Sequence, residues 1–343
     1  MAAPTNRAAW LRELNMPLEV GPAEMGKPGP NEVLIKNRAV AMNPVDWMMQ
    51  YGTFPAGPLP RILGNDVAGD IVEVGEGVTQ FAKGQRVLAH CIGLATNESK
   101  YGAFQEYAVV PTVGCCVIPD GMKYEDACVL PLAISTASIG LFHEERMGLT
   151  TPMDPMEKSQ PEEAILVWGG SSSVGSAAIQ LAVATKYRVV TTASPRNFDL
   201  CRKLGASEVF DHTSPGIVGD LTAGLQKWAC RGAFDAIATR DTQLNAAQVL
   251  AELGGGGMAV VLAPIKELPA TVEARGIYAV SILQQDEALG KAIYRDFLPR
   301  ALEQGLIKPA PPSDVVEHGV EHIQVAVDKL RAGVSGSKVV VTL

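Results

Sequence analysis

The residues best suited to chemistry form one short run, Gly169-Gly170-Ser171-Ser172-Ser173-Val174-Gly175. It follows the apolar Ile165-Leu166-Val167-Trp168 and leads into SAAIQLAVAT. A β run, a turn of small residues and a helix would place backbone N–H groups and the positive end of a helix dipole together, which suits a pyrophosphate. Ser172 stands where a strict GxGxxG would have its middle glycine, and its hydroxyl can add a donor. The alternative is a tight strand-to-helix turn with no ligand. About 20 residues on, where an acid would bind a ribose 2′-hydroxyl, the chain reads Ser194-Pro195-Arg196-Asn197, with no acid before Asp199. An arginine fork flanked by neutral donors favours a 2′-phosphate and hence NADPH over NADH; the alternative is a solvated loop arginine.

The elements that must hold these residues change character along the chain. The first ~120 residues read as short strands separated by Pro and Gly: EVLIKNRAVAM, DVAGDIVEVGEGV, GQRVLAHC and FQEYAVVP. An apolar helical stretch is predicted over 124–143, then a surface loop, LTTPMDPMEKSQPEE. From ILVWG onward strands alternate with helices, ending with GMAVVLA and GIYAVSI as strands. Such alternation predicts a parallel, doubly wound sheet with helices on both faces. EALGKAIYRDFLPRALEQG and HGVEHIQVAVDKLRAG read as helices, PAPPSD as a rigid connection, and KVVVTL as a closing strand that rejoins the first region.

Composition narrows the functional classes. The chain has 343 residues, 47% hydrophobic and 19% charged, which suffices for two domains with a large core and excludes a disordered or fibrous protein. A net charge of −8 argues against general nucleic-acid binding or polybasic membrane attachment. No apolar run reaches the ~20 residues of a membrane span, and no secretory signal is visible at the start. The six cysteines are irregularly spaced, and Cys115-Cys116 reads as a pair of buried free thiols, so a cytoplasmic location is expected.

Read in order, several motifs resemble the medium-chain dehydrogenase/reductase superfamily across essentially the whole chain. They are Asn43-Pro44-Val45-Asp46-Trp47, Gly64-Asn65-Asp66-Val67-Ala68-Gly69, Val74-Gly75 with Val78, the GGSSSVG loop, Lys203-Leu204-Gly205-Ala206 and Gly336-Ser337-Lys338-Val339-Val340-Val341. LVWGGSSSVG, TASPRNFDL and PLAISTASIGLF are most similar to the zinc-free, quinone-oxidoreductase-like group that includes fungal trans-acting enoyl reductases of polyketide biosynthesis. The resemblance implies a twisted, β-rich GroES-like catalytic domain from residues 1–125 and 287–343, a Rossmann domain over 126–286, and NADPH in the cleft. It implies reduction of an activated C=C bond in a small or carrier-bound substrate, a polyketide synthase as partner, and a monomer or homodimer.

Carried over residue by residue, the resemblance sets Val45, Asp46 and Trp47 beside the nicotinamide and Gly170, Ser171, Ser172, Ser173 and Val174 at the pyrophosphate. Ser194, Arg196 and Asn197 would meet the 2′-phosphate, His212 the adenosine end, and Leu262 and Ala263 the nicotinamide ribose. Thr136 is either a hydroxyl at the cleft or a helix residue bonding its own backbone. Asp46 and Tyr51 lie near the expected nicotinamide site; residues of these types are more often structural, Asp46 as a turn or cap acceptor and Tyr51 as a cleft wall. The enoyl-reductase group usually has lysine where this chain has Met48, and Tyr-Lys in the segment containing His212. Zinc members of the superfamily have a cysteine near Asn43 and Gly-His-Glu near Gly64-Asn65-Asp66, so no metal is expected here. His318 and His322 fall at i, i+4 on a predicted helix, where a solvated face is the reading. No catalytic acid is assigned; Met48, Tyr51 and Thr136 are the candidates. A non-redox isomerase, cyclase or binding protein on the same fold is the competing function.

Overall fold

The computed structural model describes residues 5–152 and 162–343, so most of the LTTPMDPMEKSQPEE loop lies outside the described residues. Two compact units are present. One comprises Met1–Leu132, Leu283–Glu303 and Pro312–Leu343; the other comprises Ala133–Ile282 and Gln304–Pro311.

The first unit opens with β1 (Asn6–Leu11), flanked antiparallel by β2 (Glu19–Ala23) and β4 (Arg61–Ile62). Its larger sheet is built on the ten-residue β3 (Glu32–Ala41), in which Val33–Ile35 and Ala39–Ala41 are buried throughout and no position is fully exposed. β3 pairs antiparallel with β5 (Asp66–Val74) and with β7 (Tyr107–Pro111). β6 (Arg86–His90) and β8 (Cys115–Val117) continue the sheet beyond β5. The side chains of Leu11, Ile35, Met42, Ile62, Ile71 and Phe104 fill the core.

The second unit is a six-stranded, all-parallel sheet. Its strands are β9 (Glu163–Trp168), β10 (Arg188–Ala193), β11 (Glu208–Asp211), β12 (Ala229–Asp235), β13 (Gly256–Val260) and β14 (Val272–Gly276). They lie in the order β11-β10-β9-β12-β13-β14, the doubly wound Rossmann arrangement, with the strand order reversing between β9 and β12. β9 is buried along nearly its whole length, the mark of a strand covered on both faces.

The last two strands return to the first unit. β15 (Ser313–His318) pairs parallel with β16 (Lys338–Thr342), and β16 pairs antiparallel with β3, so the closing strand is interior to its sheet.

Three expectations need correction. The segment from His318 is not one helix: His318 ends β15, Gly319 turns the chain at φ 106°, and the helix runs only from Ile323 to Ala332. His318 and His322 therefore share no helix face. The apolar stretch 124–143 is two helices, Tyr124–Ala127 and Pro131–Phe142, because a proline cannot continue a helix from the residues before it. The Tyr124–Phe142 stretch has the length and hydropathy to cross a membrane, but it is 83% buried as core. The last parallel strand is Val272–Gly276, and the second half of GIYAVSI belongs to a 3-10 turn, Ala279–Leu283.

Candidate functional site

In the second unit the expected ligand contacts gather beyond the carboxyl ends of β9, β10, β11 and β13, the edge at which open parallel sheets bind ligands. Gly169 leaves β9 with φ 80°, and Ser172 caps the helix Ser173–Ala184 by accepting the Gly175 N–H at 3.0 Å. The Ser172 oxygen is thus committed to the helix end, and its O–H remains a donor. Gly175 must be glycine: a Cβ there would lie 2.1 Å from the Gly169 carbonyl oxygen. Thr192 fastens the turn to β10, its hydroxyl accepting the Gly169 N–H at 3.0 Å and its carbonyl the Gly170 N–H at 2.9 Å. At the start of this helix the Gly175 N–H is taken by the Ser172 hydroxyl and the Ser176 N–H by the Ser172 carbonyl at 2.8 Å.

The turn after β10 touches the turn after β9. Asn197 Nδ2 donates to Ser171 Oγ at 3.3 Å, and Ser194 Oγ lies 3.2 Å from His212 Nε2 at the end of β11. Arg196 is exposed in the Pro195–Asn197 turn and forms no ion pair among the described residues. Leu262 and Ala263 are exposed after β13, where the Ala263 carbonyl accepts from Gln243 Nε2 at 3.3 Å. Thr136 is buried in the helix Pro131–Phe142.

Sequence reasoning missed Asp235 at the end of β12. Its Oδ1 accepts the N–H groups of Ile237 and Ala238 at 3.0 Å each, and its Oδ2 accepts the Thr242 hydroxyl at 2.7 Å. These bonds shape the turn in which Ala238 takes φ 61°. Burial raises the Asp235 carboxyl above its ordinary range, and the two backbone donors partly offset it. An acid followed by Thr seven residues on was the available signal.

In the first unit the helix Pro44–Gln50 presents Val45, Asp46, Trp47 and Met48. Proline at its first position supplies the fixed φ a helix start needs. Asp46 Oδ2 accepts the Asn43 N–H at 2.7 Å and its Oδ1 accepts from Asn65 Nδ2 at 3.1 Å, so it is the cap acceptor that its sequence position allowed. Trp47 and Met48 are partly buried, and the Met48 carbonyl accepts the N–H groups of Thr53 at 2.8 Å and Phe54 at 3.0 Å. Tyr51 ends the helix, with the Arg331 guanidinium 3.6 Å from its ring centroid.

Behind this helix lies a polar cluster that sequence reasoning did not assemble. Asn43 Nδ2 donates to Asp66 Oδ2 at 2.8 Å, while Lys338 Nζ lies 3.0 Å from the same oxygen and donates to Asn43 Oδ1 at 2.5 Å. Asp66 Oδ1 accepts the Leu132 N–H at 2.6 Å. Asn43, Asp46, Asn65, Asp66, His90 and Lys338 are all buried. Burial pushes Asp46 up to about 7; its Asn43 hydrogen bond opposes this, the Asp66 charge adds to it, and Lys338 opposes it. Burial holds His90 down to about 4, partly offset by Asp66.

This cluster bears on metal binding. The two amides Asn43 and Asn65 are poor zinc ligands, and both are engaged with carboxylates. Among the described residues no three of His, Cys, Asp and Glu gather as a metal site. Exhaustive dialysis against a strong chelator is therefore expected to leave the melting temperature and the activity unchanged; stoichiometric zinc in the purified protein would contradict this.

Comparisons with known proteins agree with this architecture. Residues 29–120 match the alcohol dehydrogenase GroES-like domain. The trans-enoyl reductase himH of Aspergillus japonicus is 39% identical over 344 residues, covering 100% of this chain and 99% of himH. The CurK enoyl reductase has the same fold, with a TM-score of 0.76 at 20% identity, 98% of this chain and 99% of that one being covered. Mycobacterial Rv1454c complexed with NADPH has a TM-score of 0.74 at 22% identity, covering 98% of this chain and 100% of that one. Identity to himH over the full length, the GroES-like region and the all-parallel Rossmann sheet lead to one assignment: the chain belongs to the medium-chain dehydrogenase/reductase superfamily of oxidoreductases, with the fungal trans-enoyl reductases.

Proposed function

We propose that the protein is an NADPH-dependent reductase of an activated C=C bond, an enone, quinone or enoyl thioester, in polyketide or related secondary metabolism. The observation that supports the cofactor choice is the Ser194–Asn197 turn, where Arg196 is exposed, no acid is present, and Asn197 reaches the phosphate-loop Ser171. In this reading Gly170 to Val174 hold the pyrophosphate, and Ser194, Arg196 and Asn197 hold the 2′-phosphate. His212 borders the adenosine, Leu262 and Ala263 the ribose, and Val45 to Trp47 the nicotinamide. When bound, NADPH supplies the hydride equivalent for the β-carbon. The protein's own contribution is orientation and exclusion of water. The relatives' designation as trans-enoyl reductases supports a carrier-borne substrate and a synthase partner.

The cofactor assignment is tested with Arg196→Ala. Loss of one charge-assisted contact is expected to weaken NADPH by roughly 10- to 100-fold and leave NADH nearly unchanged. Isothermal titration with both cofactors measures it. Equal weakening of both, or a wild-type preference for NADH, would refute the assignment.

A second reading, a cofactor-binding protein that performs a non-redox isomerisation or cyclisation, is favoured by Met48. A thioether offers neither a charge nor a proton where the resembling reductases have lysine. NADPH absorbance with a panel of enones separates the two readings: oxidation coupled to reduced product supports the first, and substrate turnover without cofactor oxidation supports the second.

A further inference from the structure

The buried cluster around Asp46 has an uneven charge count. Asp46 and Asp66 are 1% and 0% exposed, and they share the single ammonium of Lys338, which touches Asp66 and Asn43. The donors on Asp46 are neutral amides, the Asn43 N–H and Asn65 Nδ2. With both acids ionised and His90 neutral, the cluster holds one uncompensated negative charge away from water, a costly state. A second irregularity lies beside it: Asn65 Oδ1 is buried and has no hydrogen-bond partner among the described residues. The amide that donates to Asp46 thus has an idle acceptor on its other end. Turning the amide over would present that oxygen to a protonated Asp46, which would then donate to it.

We propose that the Asn43–Asp46–Asn65–Asp66–Lys338 cluster stores one exchangeable proton on Asp46, and that its gain or loss repositions the helix bearing Trp47 and Met48, making Asp46 a positioning residue. Asp46 is the third residue of that helix, and it holds the helix start through the Asn43 N–H. Trp47 follows it directly and packs against the core of the unit. Protonation exchanges a charge-assisted cap for a neutral one and relieves the repulsion from Asp66, so the helix start rests on a different set of bonds in each state.

Other titratable groups face Asp46 from the elements packed around it. Lys338 on β16 and Asp66 on β5 form the buried ion pair. Burial keeps the thiols of Cys91 and Cys128 protonated. His90 on β6 is held down to about 4. The two shifted groups act on stability with opposite signs. Between its ordinary 3.8 and about 7, Asp46 holds a proton in the folded chain that the unfolded chain has released, so stability falls as pH rises. Between about 4 and its ordinary 6.5, His90 lacks a proton that the unfolded chain binds, so stability rises with pH. Below 6.5 they oppose each other; from there to about 7 the decline belongs to Asp46.

The inference rests on the proposed cofactor site only for its catalytic consequence, so its test uses the full chain without cofactor. In protein labelled with 5-fluorotryptophan, the Trp47 fluorine resonance is assigned by its absence in Trp47→Phe. It is expected to shift with a single-proton inflection within about one pH unit of 7, and Asp46→Asn should abolish the inflection. An aspartate carboxyl carbon titrating with the same midpoint in wild-type protein provides support that does not depend on the variant folding. A flat Trp47 resonance between about pH 5.5 and 8.5, no such carboxyl, or an inflection retained in Asp46→Asn overturns the proposal. Failure of NADPH to bind would leave these readouts unchanged, which separates the two hypotheses.

Discussion

Lys338→Met is expected to destabilise the protein by about 3–5 kcal/mol, the usual cost of removing one partner from a buried ion pair. The magnitude follows from what remains. Asp66 has no exposure and sits near the second acid Asp46, so losing the ammonium at 3.0 Å leaves two carboxylates facing amides alone. Asn43 Oδ1 loses its donor in the same step. Urea denaturation monitors the effect as a lower midpoint with an unchanged slope. Lys338→Arg should recover part of the loss. In the double variant Lys338→Met/Asp66→Asn the cost should be well below the sum of the single costs, because a neutral amide at 66 still accepts the Leu132 N–H. Additive costs would mean that the pair is not coupled.

Met48→Lys carries the largest expected effect on activity. A preorganised donor beside a developing enolate oxygen is worth about 10²–10³ in rate, and methionine supplies none. The natural protein is therefore expected to reduce generic enones slowly, and the lysine variant to oxidise NADPH faster by up to that factor. The backbone at this position is fixed independently of the side chain, because the Met48 carbonyl accepts from Thr53 and Phe54. Met48 is also only partly buried, so a long, flexible ammonium can reach water. The folded state should survive the change, as circular dichroism would report. An unchanged rate in the variant, with efficient reduction by the wild type, would make Met48 an ordinary wall residue and transfer the donor role elsewhere.

Local pattern carried the sequence reading furthest where structure is set locally. The β9 run, its small-residue turn and the following helix are contiguous, so the strand-turn-helix geometry and the Ser194–Asn197 turn were legible from spacing alone. The contact between Asn197 and Ser171 joins two turns that each could be read separately. The buried cluster was not legible, because its members come from distant parts of the chain: Asn43 meets Lys338 across 295 positions. Lys338 was visible as part of a closing strand and of the Gly336–Val341 motif, and nothing local distinguishes a buried lysine from a solvated one. The His318 helix failed for the opposite reason. Its apolar spacing suits a helix, but pairing of Ser313–His318 with β16 and the positive φ at Gly319 outweigh local preference.

The position of β16 has a consequence for how the protein is made. Synthesis delivers residues in order, and domains begin folding as they emerge. The parallel sheet of the second unit has all its strands once Gly276 has left the ribosome. The larger sheet of the first unit has to wait, although β3 is made early, because the neighbour of Val40 and Ala41 is the strand ending at Thr342. During that interval β3 exposes an apolar edge, and Asp66 is without its lysine. The sheet begun first is thus completed only when Lys338–Thr342 arrive, and until then β3 offers one unpaired strand edge.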